Sequence, residues 1–345
     1  MDYIRFGNTG MMVSELCLGT MIFAQKPGWR NYTNGPSEAR KIFSRALEVG
    51  INFFDTADVY SNGLCEEVTG KLLKNMANRD EIVLATKVHG AMGDGPNRSG
   101  LSKKYIFSAI DASLKRLKMD YVDLYIIHRW DHNTTKEEIM EALHCVVKSG
   151  KARYIGASSM YAWELAKAQE TANLNGWTKF VSMQNHYNLI YREEEREMIP
   201  LCVNDKLAIT PWSPLARGFL SGNRKRKGGG SSQRSKNDVL ADQFYFSKND
   251  FKILDAVVDV ANSVGRKPVE VALSWLRSKK GITAPIVGPR TVGQLNLLLN
   301  SLSLKLNERQ IAKLEKPYVP KNIAGHHYSA ADSMKMAKIA LKGKK

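Results

Sequence analysis

The chain has 345 residues, 43% of them hydrophobic and 9% aromatic, which suits a globular protein with a large core. No apolar run approaches the roughly 20 residues that a membrane-spanning helix needs, and the opening "MDYIRFGNTG" lacks the charged-then-apolar layout of a secretory leader. The formal net charge of +17 directs attention to nucleic acid, an anionic membrane surface or an anionic ligand.

The first predicted element is a hairpin in "YIRFGNTGMMVSEL", with Gly7-Asn8-Thr9-Gly10 at its turn, placed to cap the bottom of the fold. An apolar strand is predicted over Glu15–Thr20. A helix comes next in "SEARKIFSRALEVG", with Ser37 as its N-cap and Gly50 just past its end. Strands are then predicted at Ile51–Thr56 and Ile82–Lys87. The segment "LSKKYIFSAIDASLKRLKM" puts Ile106, Ile110, Leu114 and Leu117 on one helical face. A strand at Val122–His128 leads to "TTKEEIMEALHCVVKSGK", where Thr135 and Glu138 have capping-box spacing and Gly150 ends the helix. Further strands are predicted at Ala152–Ser158, Phe180–Asn185, Leu207–Ser213 and Ala284–Gly288.

These eight runs are apolar rather than alternating, as parallel strands buried on both faces require. Alternation with helices predicts a (β/α)8 TIM barrel with an N-terminal hairpin cap. A doubly wound open sheet would normally carry G-x-G-x-x-G after its first strand, and the chain has no such sequence. The expectation is one domain over residues 1–345, with a barrel core at about 14–316 and a C-terminal extension at 317–345.

Outside the repeat lies a long polar stretch, Asn223 to about Gln243, which contains the run "RKRK" at Arg224–Lys227. It fits a solvated loop and also a nuclear localisation signal. No aromatic residues interleave with it, so a nucleic-acid stacking platform is not expected despite the charge. The four cysteines form no C-x-x-C pair and are expected to be reduced thiols in a cytoplasmic protein.

In a barrel of this kind, chemistry gathers at the C-terminal ends of the strands. Asp55 and Tyr60 stand after the second predicted strand, Lys87 ends the third and His128 ends the fourth. Each alone is compatible with a simple strand cap; four ionisable residues of these types at neighbouring strand ends are not. A phenol is a poor acid at neutral pH, and a neighbouring ammonium lowers its pKa. Asp55 can hold Lys87 charged, His128 can orient a carbonyl oxygen, and Tyr60 can protonate the oxyanion as it forms. The side chains supply no hydride, so a nicotinamide cofactor is implied.

The motifs "FFDTADVY", "LATK" and "YIIH", with "GASS", "MQNHYN", "PWSPLARG" and "PIVGPR" coming later in order, resemble the aldo-keto reductase superfamily. The likeness runs to about Lys316 and is nearer the aryl-alcohol-dehydrogenase-like and potassium-channel-β-subunit branches, partly because Trp212 precedes Ser213-Pro214. The resemblance implies Asp55, Tyr60, Lys87 and His128 as the catalytic tetrad and NADP(H) as cofactor. It implies that Ser158, Ser159 and Gln184 bind the nicotinamide carboxamide, with Trp212 stacked on the ring. Gly19, Thr20, Met21 and Asp55 would lie by that ring. Ser213, Leu215 and Gly218 would line the pyrophosphate, and Pro214 and Ala216 are also assigned to the cofactor. Gly288, Arg290 and Gln294 fall at the adenosine end, with Arg290 on the 2′-phosphate. Arg224 and Arg234 are also assigned to the cofactor from the polar loop. Where the channel branch sets a glutamate and an asparagine against adenine, this chain has Leu297 and Leu298, so Asn296 is an alternative contact.

The implied activity is NADPH-dependent reduction of aldehydes and ketones to alcohols. Trp29, His89 and Trp130 are candidate substrate contacts that favour an aromatic or apolar aldehyde. The alternative is an NADP-binding partner subunit with little turnover, like the channel β subunits. A metal site is not expected: His128 and His132 are four apart, but His128 ends a strand rather than sharing a helix face with His132. "GASSM" misses the last glycine of a nucleophile elbow, which argues against a hydrolase.

Overall fold

The computed structural model describes residues 1–24, 34–222, 241 and 244–321. Trp29, Arg224, Arg234, the "RKRK" run and the tail beyond Lys321 lie outside the described residues. The chain opens with β1 (Tyr3–Arg5) and β2 (Met12–Ser14), paired antiparallel with Tyr3 opposite Ser14. The turn between them is as predicted, with Thr9 Oγ1 donating to the Phe6 carbonyl at 2.7 Å. At Gly7, with φ of 60°, an added Cβ would fall 2.7 Å from the Ala208 nitrogen, so only glycine lets the turn dock this closely. Phe6 is fully buried with Cys17, Phe53, Ala85, Leu124 and Ala208, and meets Phe53 edge-on at 5.5 Å. The hairpin therefore stoppers the N-terminal end of the barrel.

The repeat then runs β3 (Cys17–Gly19), α1 (Pro36–Glu48), β4 (Phe53–Asp55), α2 (Leu64–Met76), β5 (Val83–Val88), α3 (Lys103–Leu117), β6 (Val122–Ile127), α4 (Lys136–Lys148), β7 (Ala152–Ser158), α5 (Ala162–Leu174) and β8 (Phe180–Gln184). It continues through α6 (Met198–Asn204), β9 (Ala208–Ile209), α7 (Lys248–Ser263), α8 (Pro268–Ser278), β10 (Ile286–Val287), α9 (Val292–Asn300) and α10 (Glu308–Glu315). The eight strands β3–β10 are parallel, in the order β10-β3-β4-β5-β6-β7-β8-β9. The Ile209–Ile282 bridge and the Ile286 amide on the Pro211 carbonyl at 2.9 Å join β9 to the entry of β10. The sheet is thereby a closed (β/α)8 barrel.

Two apolar layers arise from strand geometry, since successive side chains point to opposite faces. Inward residues such as Phe53, Ala85 and Leu124 fill the barrel with Phe6. Outward residues meet the helices: Phe54 stacks on Phe43 of α1 at 5.6 Å. Ile106, Ile110, Leu114 and Leu117 of α3 are all buried, on the face their spacing predicts.

The strands predicted at Glu15–Thr20, Ile51–Thr56 and Ala284–Gly288 are shorter in the structure, at Cys17–Gly19, Phe53–Asp55 and Ile286–Val287, and three further differences have a local cause. Ser37 is not the N-cap of α1; Pro36 takes the first turn and Gly35 caps it, because proline needs no amide partner there. Thr135 caps α4 by accepting the Glu138 amide, but Glu138 turns its own carboxylate to the Lys103 amide at 2.9 Å, so the reciprocal half of the box is absent. The predicted strand Leu207–Ser213 shrinks to Ala208–Ile209: Pro211 has no N–H for a ladder, and Ser213 has φ of 53°. All four cysteines are unbridged. Among the described residues no helix is long and apolar enough to cross a membrane.

Candidate active site

Asp55 is the last residue of β4, Lys87 lies in β5, and His128 directly follows β6. Tyr60 enters from a short 3-10 turn, Tyr60–Gly63. Ser61, Asn62 and Gly63 in that turn all have positive φ (50°, 54° and 91°). Such backbone costs on the order of 1–3 kcal/mol per non-glycine residue, and it persists only where surrounding contacts hold it. Ser61 Oγ supplies one, donating to the Ala24 carbonyl at 3.3 Å, and Glu66 anchors the helix that follows the turn. Fully buried at the start of α2, it accepts from Thr86 Oγ1 at 2.5 Å and from Arg116 Nε at 2.6 Å.

Lys87 Nζ lies 2.6 Å from Asp55 Oδ1, 2.7 Å from the Thr56 carbonyl and 3.3 Å from the Tyr60 phenol oxygen. Lys87 is 0% exposed and Asp55 2%. The second oxygen of Asp55 accepts from Gln184 Nε2 at 2.9 Å. Burial alone would lower the pKa of Lys87, but Asp55 and then Tyr60 outweigh it and hold the ammonium above its ordinary value. The His128 ring meets the Tyr60 ring edge-on, with centroids 5.7 Å apart. The four strand-end residues that the sequence singles out are thus gathered into one cluster.

A second buried carboxyl stands behind them. Asp58 is 1% exposed; its Oδ1 accepts from the Val59 amide at 2.6 Å, and its Oδ2 has no partner. Burial, then repulsion from Glu66, pushes this carboxyl well above the usual carboxylate range.

The adjoining strand ends carry the remaining expected residues. Ser158 Oγ donates to the Gln184 carbonyl at 3.0 Å and lies 3.2 Å from Ser159 Oγ. Trp212 Nε1 donates to Ser159 Oγ at 3.0 Å. Beyond Trp212, Ser213, Ala216, Arg217 and Gly218 all have positive φ. The Ala216 amide donates to the Ser213 carbonyl and the Gly218 amide to the Leu215 carbonyl, both at 2.9 Å, so the segment is a pair of tight turns. No Cβ contact would arise at Gly218, where the space is open. Across the barrel seam, a Cβ on Gly19 would fall 2.7 Å from Ile286 Cγ2, Thr20 is buried with its hydroxyl unpartnered, and Met21 packs on the core. Gly288 lies beside the Gly19 carbonyl.

Arg290 precedes α9, whose N-cap is Thr291. Its amide donates to Gln294 Oε1 at 2.8 Å, and its side-chain Nε is buried without a partner. Asn296 is exposed and accepts from Arg45 Nε at 3.0 Å through its Oδ1, while Leu298 is buried and Leu297 packs beside it, so of the three only Asn296 presents a polar group.

Of the candidate substrate residues, His89 is only 6% exposed, and burial lowers its pKa to about 4 against the opposing pull of Asp131. Trp130 packs partly buried against the main core. Residues not singled out from sequence also enter the site. Arg129 donates to the His128 carbonyl, and its guanidinium stands over the Trp212 ring at 6.0 Å; its position directly after a strand-end histidine was the available signal. His186 stacks on Trp212 with centroids 4.2 Å apart. Among the described residues no group of three or more His, Cys, Asp or Glu is placed to hold a metal ion.

Comparison with known proteins matches residues 15–318 to the aldo/keto reductase family. Versiconal hemiacetal acetate reductase of Aspergillus parasiticus is 41% identical over 344 residues, covering 94% of this chain and 98% of that protein. A protein of Schizosaccharomyces pombe named as an aryl-alcohol dehydrogenase is 40% identical over 346 residues, covering 94% and 97%. An aldo-keto reductase of Alternaria alternata is 38% identical over 348 residues, covering 94% and 93%.

Proposed function

The chain belongs to the aldo/keto reductase family, and from that premise we propose that it is an oxidoreductase that reduces aldehydes and ketones to alcohols with NADPH, using Tyr60 as general acid. The observation that carries this reading is the Lys87 ammonium held between Asp55 and the Tyr60 phenol at 2.6 and 3.3 Å. Relatives named as a hemiacetal acetate reductase and an aryl-alcohol dehydrogenase support an oxidoreductase, and the second name supports an aromatic carbonyl or alcohol as substrate.

The residues present fit a nicotinamide dinucleotide. The tight turns at Ser213 and Ala216–Gly218, with open space at Gly218, suit the close approach of a pyrophosphate, and the buried, unpartnered Arg290 Nε beside a helix N-terminus suits a phosphate. Ser158, Ser159 and Gln184 would hold the carboxamide, Trp212 would carry the ring, and Arg290 with Gln294 would take the 2′-phosphate. Bound there, the reduced nicotinamide supplies the hydride that no side chain can.

The rest falls to the tetrad. His128 donates a hydrogen bond to the substrate carbonyl oxygen and turns it toward Tyr60. As negative charge grows on that oxygen, the Tyr60 O–H bond breaks and its proton forms the alcohol. Lys87 stabilises the phenolate left behind, Asp55 keeps Lys87 in place, and Tyr60 regains its proton from solvent. Gln184 fixes the far oxygen of Asp55, so the carboxylate cannot swing away from Lys87.

The test is a panel of benzaldehydes and alkanals with NADPH consumption followed spectroscopically. Steady turnover, faster with the aromatic aldehydes, is expected. Oxidation of one equivalent and then a stall would instead identify a nucleotide-binding partner subunit, and no oxidation with any carbonyl would overturn the reductase reading.

A further inference from the structure

We propose that His186 is a positioning residue whose imidazole forms the rigid back of the Trp212 platform and so sets the plane on which the nicotinamide lies. This rests on the reading of Trp212 as the ring-stacking residue. Three rings lie parallel: Trp212 on His186 at 4.2 Å and 8°, and His186 on Tyr191 at 4.2 Å and 10°. His186 is 2% exposed and Tyr191 3%, so the stack is built into the protein interior.

The stack arises from strand register. His186 and Trp212 face each other in a parallel bridge just past the ends of β8 and β9, and the Trp212 amide donates to the Asn185 carbonyl at 2.7 Å. Residues paired across parallel strands project to the same side, so the two rings must meet. The imidazole is locked in its own plane by Nε2, 2.6 Å from the Tyr245 hydroxyl. Asn188 Nδ2 joins the same hydroxyl at 3.3 Å and the Ser213 carbonyl at 3.0 Å, which ties the stack to the turn that follows Trp212.

Trp212 is therefore fixed at its edge by Ser159 and at its back by His186. An indole held only at its edge can rock about that hydrogen bond; a flat ring behind it removes the freedom. A branched aliphatic side chain has no plane to offer, and phenylalanine offers the plane without the Tyr245 bond. That difference separates positioning from mere space filling.

The experiment compares His186→Leu, His186→Phe and Trp212→Phe with the wild-type protein, each checked for folding by thermal melting. Three readouts are used: kcat against KM for NADPH, transfer from NADPH deuterated on either face of C4, and quenching of Trp212 fluorescence by NADPH. A misplacement of about 1 Å can cost roughly 10²-fold in rate. His186→Leu is expected to lose roughly ten- to a hundredfold in kcat, with KM changed far less. It should also leak transfer from the wrong face and show weaker quenching, and His186→Phe should restore most of all three. If Trp212→Phe alters quenching and facial selectivity while His186→Leu matches the wild type, the proposal is overturned and the platform stands. Should Trp212→Phe change neither, the platform reading itself falls and takes this proposal with it. Should His186→Leu fail to fold, a His186→Phe variant with rate and selectivity as poor as those of Trp212→Phe would overturn the claim that planarity is what matters.

Discussion

Gln184 Nε2 lies 2.9 Å from Asp55 Oδ2 across 129 residues of sequence, so the carboxylate that holds Lys87 is itself held from a strand on the far side of the barrel. With both oxygens engaged, Asp55 can be buried at 2% exposure without an unmet charge.

Removing the ammonium exposes how far that pairing matters. Lys87→Met leaves Asp55 buried with Gln184 as its remaining side-chain donor. Breaking a buried pair costs about 3–5 kcal/mol, to be measured by denaturant unfolding. The pKa of Lys87 is raised in the fold, so its contribution is fully present below its ordinary value and is lost only as pH rises through the raised one. The stability gap between wild type and variant should hold from neutral pH to about 10 and narrow above it. Carbonyl reduction should fall, and its pH profile should move.

Tyr60→Phe keeps the ring and removes the proton donor. General-acid catalysis is worth roughly 10²–10⁴-fold, and a loss of that size in kcat for an unactivated aldehyde is expected, with NADPH affinity by calorimetry nearly unchanged. Near-normal turnover would remove Tyr60 from the mechanism.

On the proposed reading, cofactor choice turns on Arg290. Its guanidinium can make charge-assisted bonds to a ribose 2′-phosphate, each worth roughly 1.5–3 kcal/mol. Arg290→Ala should weaken NADPH binding by about one to two powers of ten and leave NADH binding nearly as it was. Equal weakening of both, or of neither, would assign the 2′-phosphate elsewhere.

Asp58→Asn tests the buried acid. The Asp58 pKa is raised, so its carboxyl favours the folded state while protonated, and that advantage disappears as pH rises through the raised value. Asparagine can still accept from the Val59 amide and never ionises. The variant should match the wild type in acid and exceed it by about 1–3 kcal/mol at neutral pH, measured by unfolding at each pH. A constant difference across pH would show that Asp58 does not titrate in this range.

Much of this site was legible because barrel strands announce themselves twice, as apolar runs and as the polar residue that ends each run. Asp55, Lys87 and His128 each terminate such a run, and the fold does the rest by bringing neighbouring strand ends together. Strand lengths were less legible: hydrophobicity continues through Pro211 and Trp212, but a proline without an N–H and a serine at φ of 53° end the ladder. The stack of Tyr191, His186 and Trp212 was not legible, since it depends on which residue of β8's exit faces which residue of β9's, a register that no single strand encodes. Nor did anything in "DTADVY" mark Asp58 as a buried acid with an idle oxygen, because its surroundings come from Glu66 and Arg116 on separate helices.

The seam of the barrel has a consequence for how the chain reaches its native state. Cys17 pairs with Ile286, so one of the first strands to leave the ribosome must wait for the last. At roughly 5–20 residues per second, the intervening chain of roughly 270 residues takes on the order of fifteen seconds to a minute to synthesise. Throughout that interval β3 presents an unpaired edge, and the hairpin with Phe6 has no complete barrel to plug. Closure is also the strand pairing of largest sequence separation, the kind of contact whose loop-closure entropy must be met before it stabilises anything. The nascent chain is therefore most exposed to edge-to-edge association just before its C-terminal quarter is released.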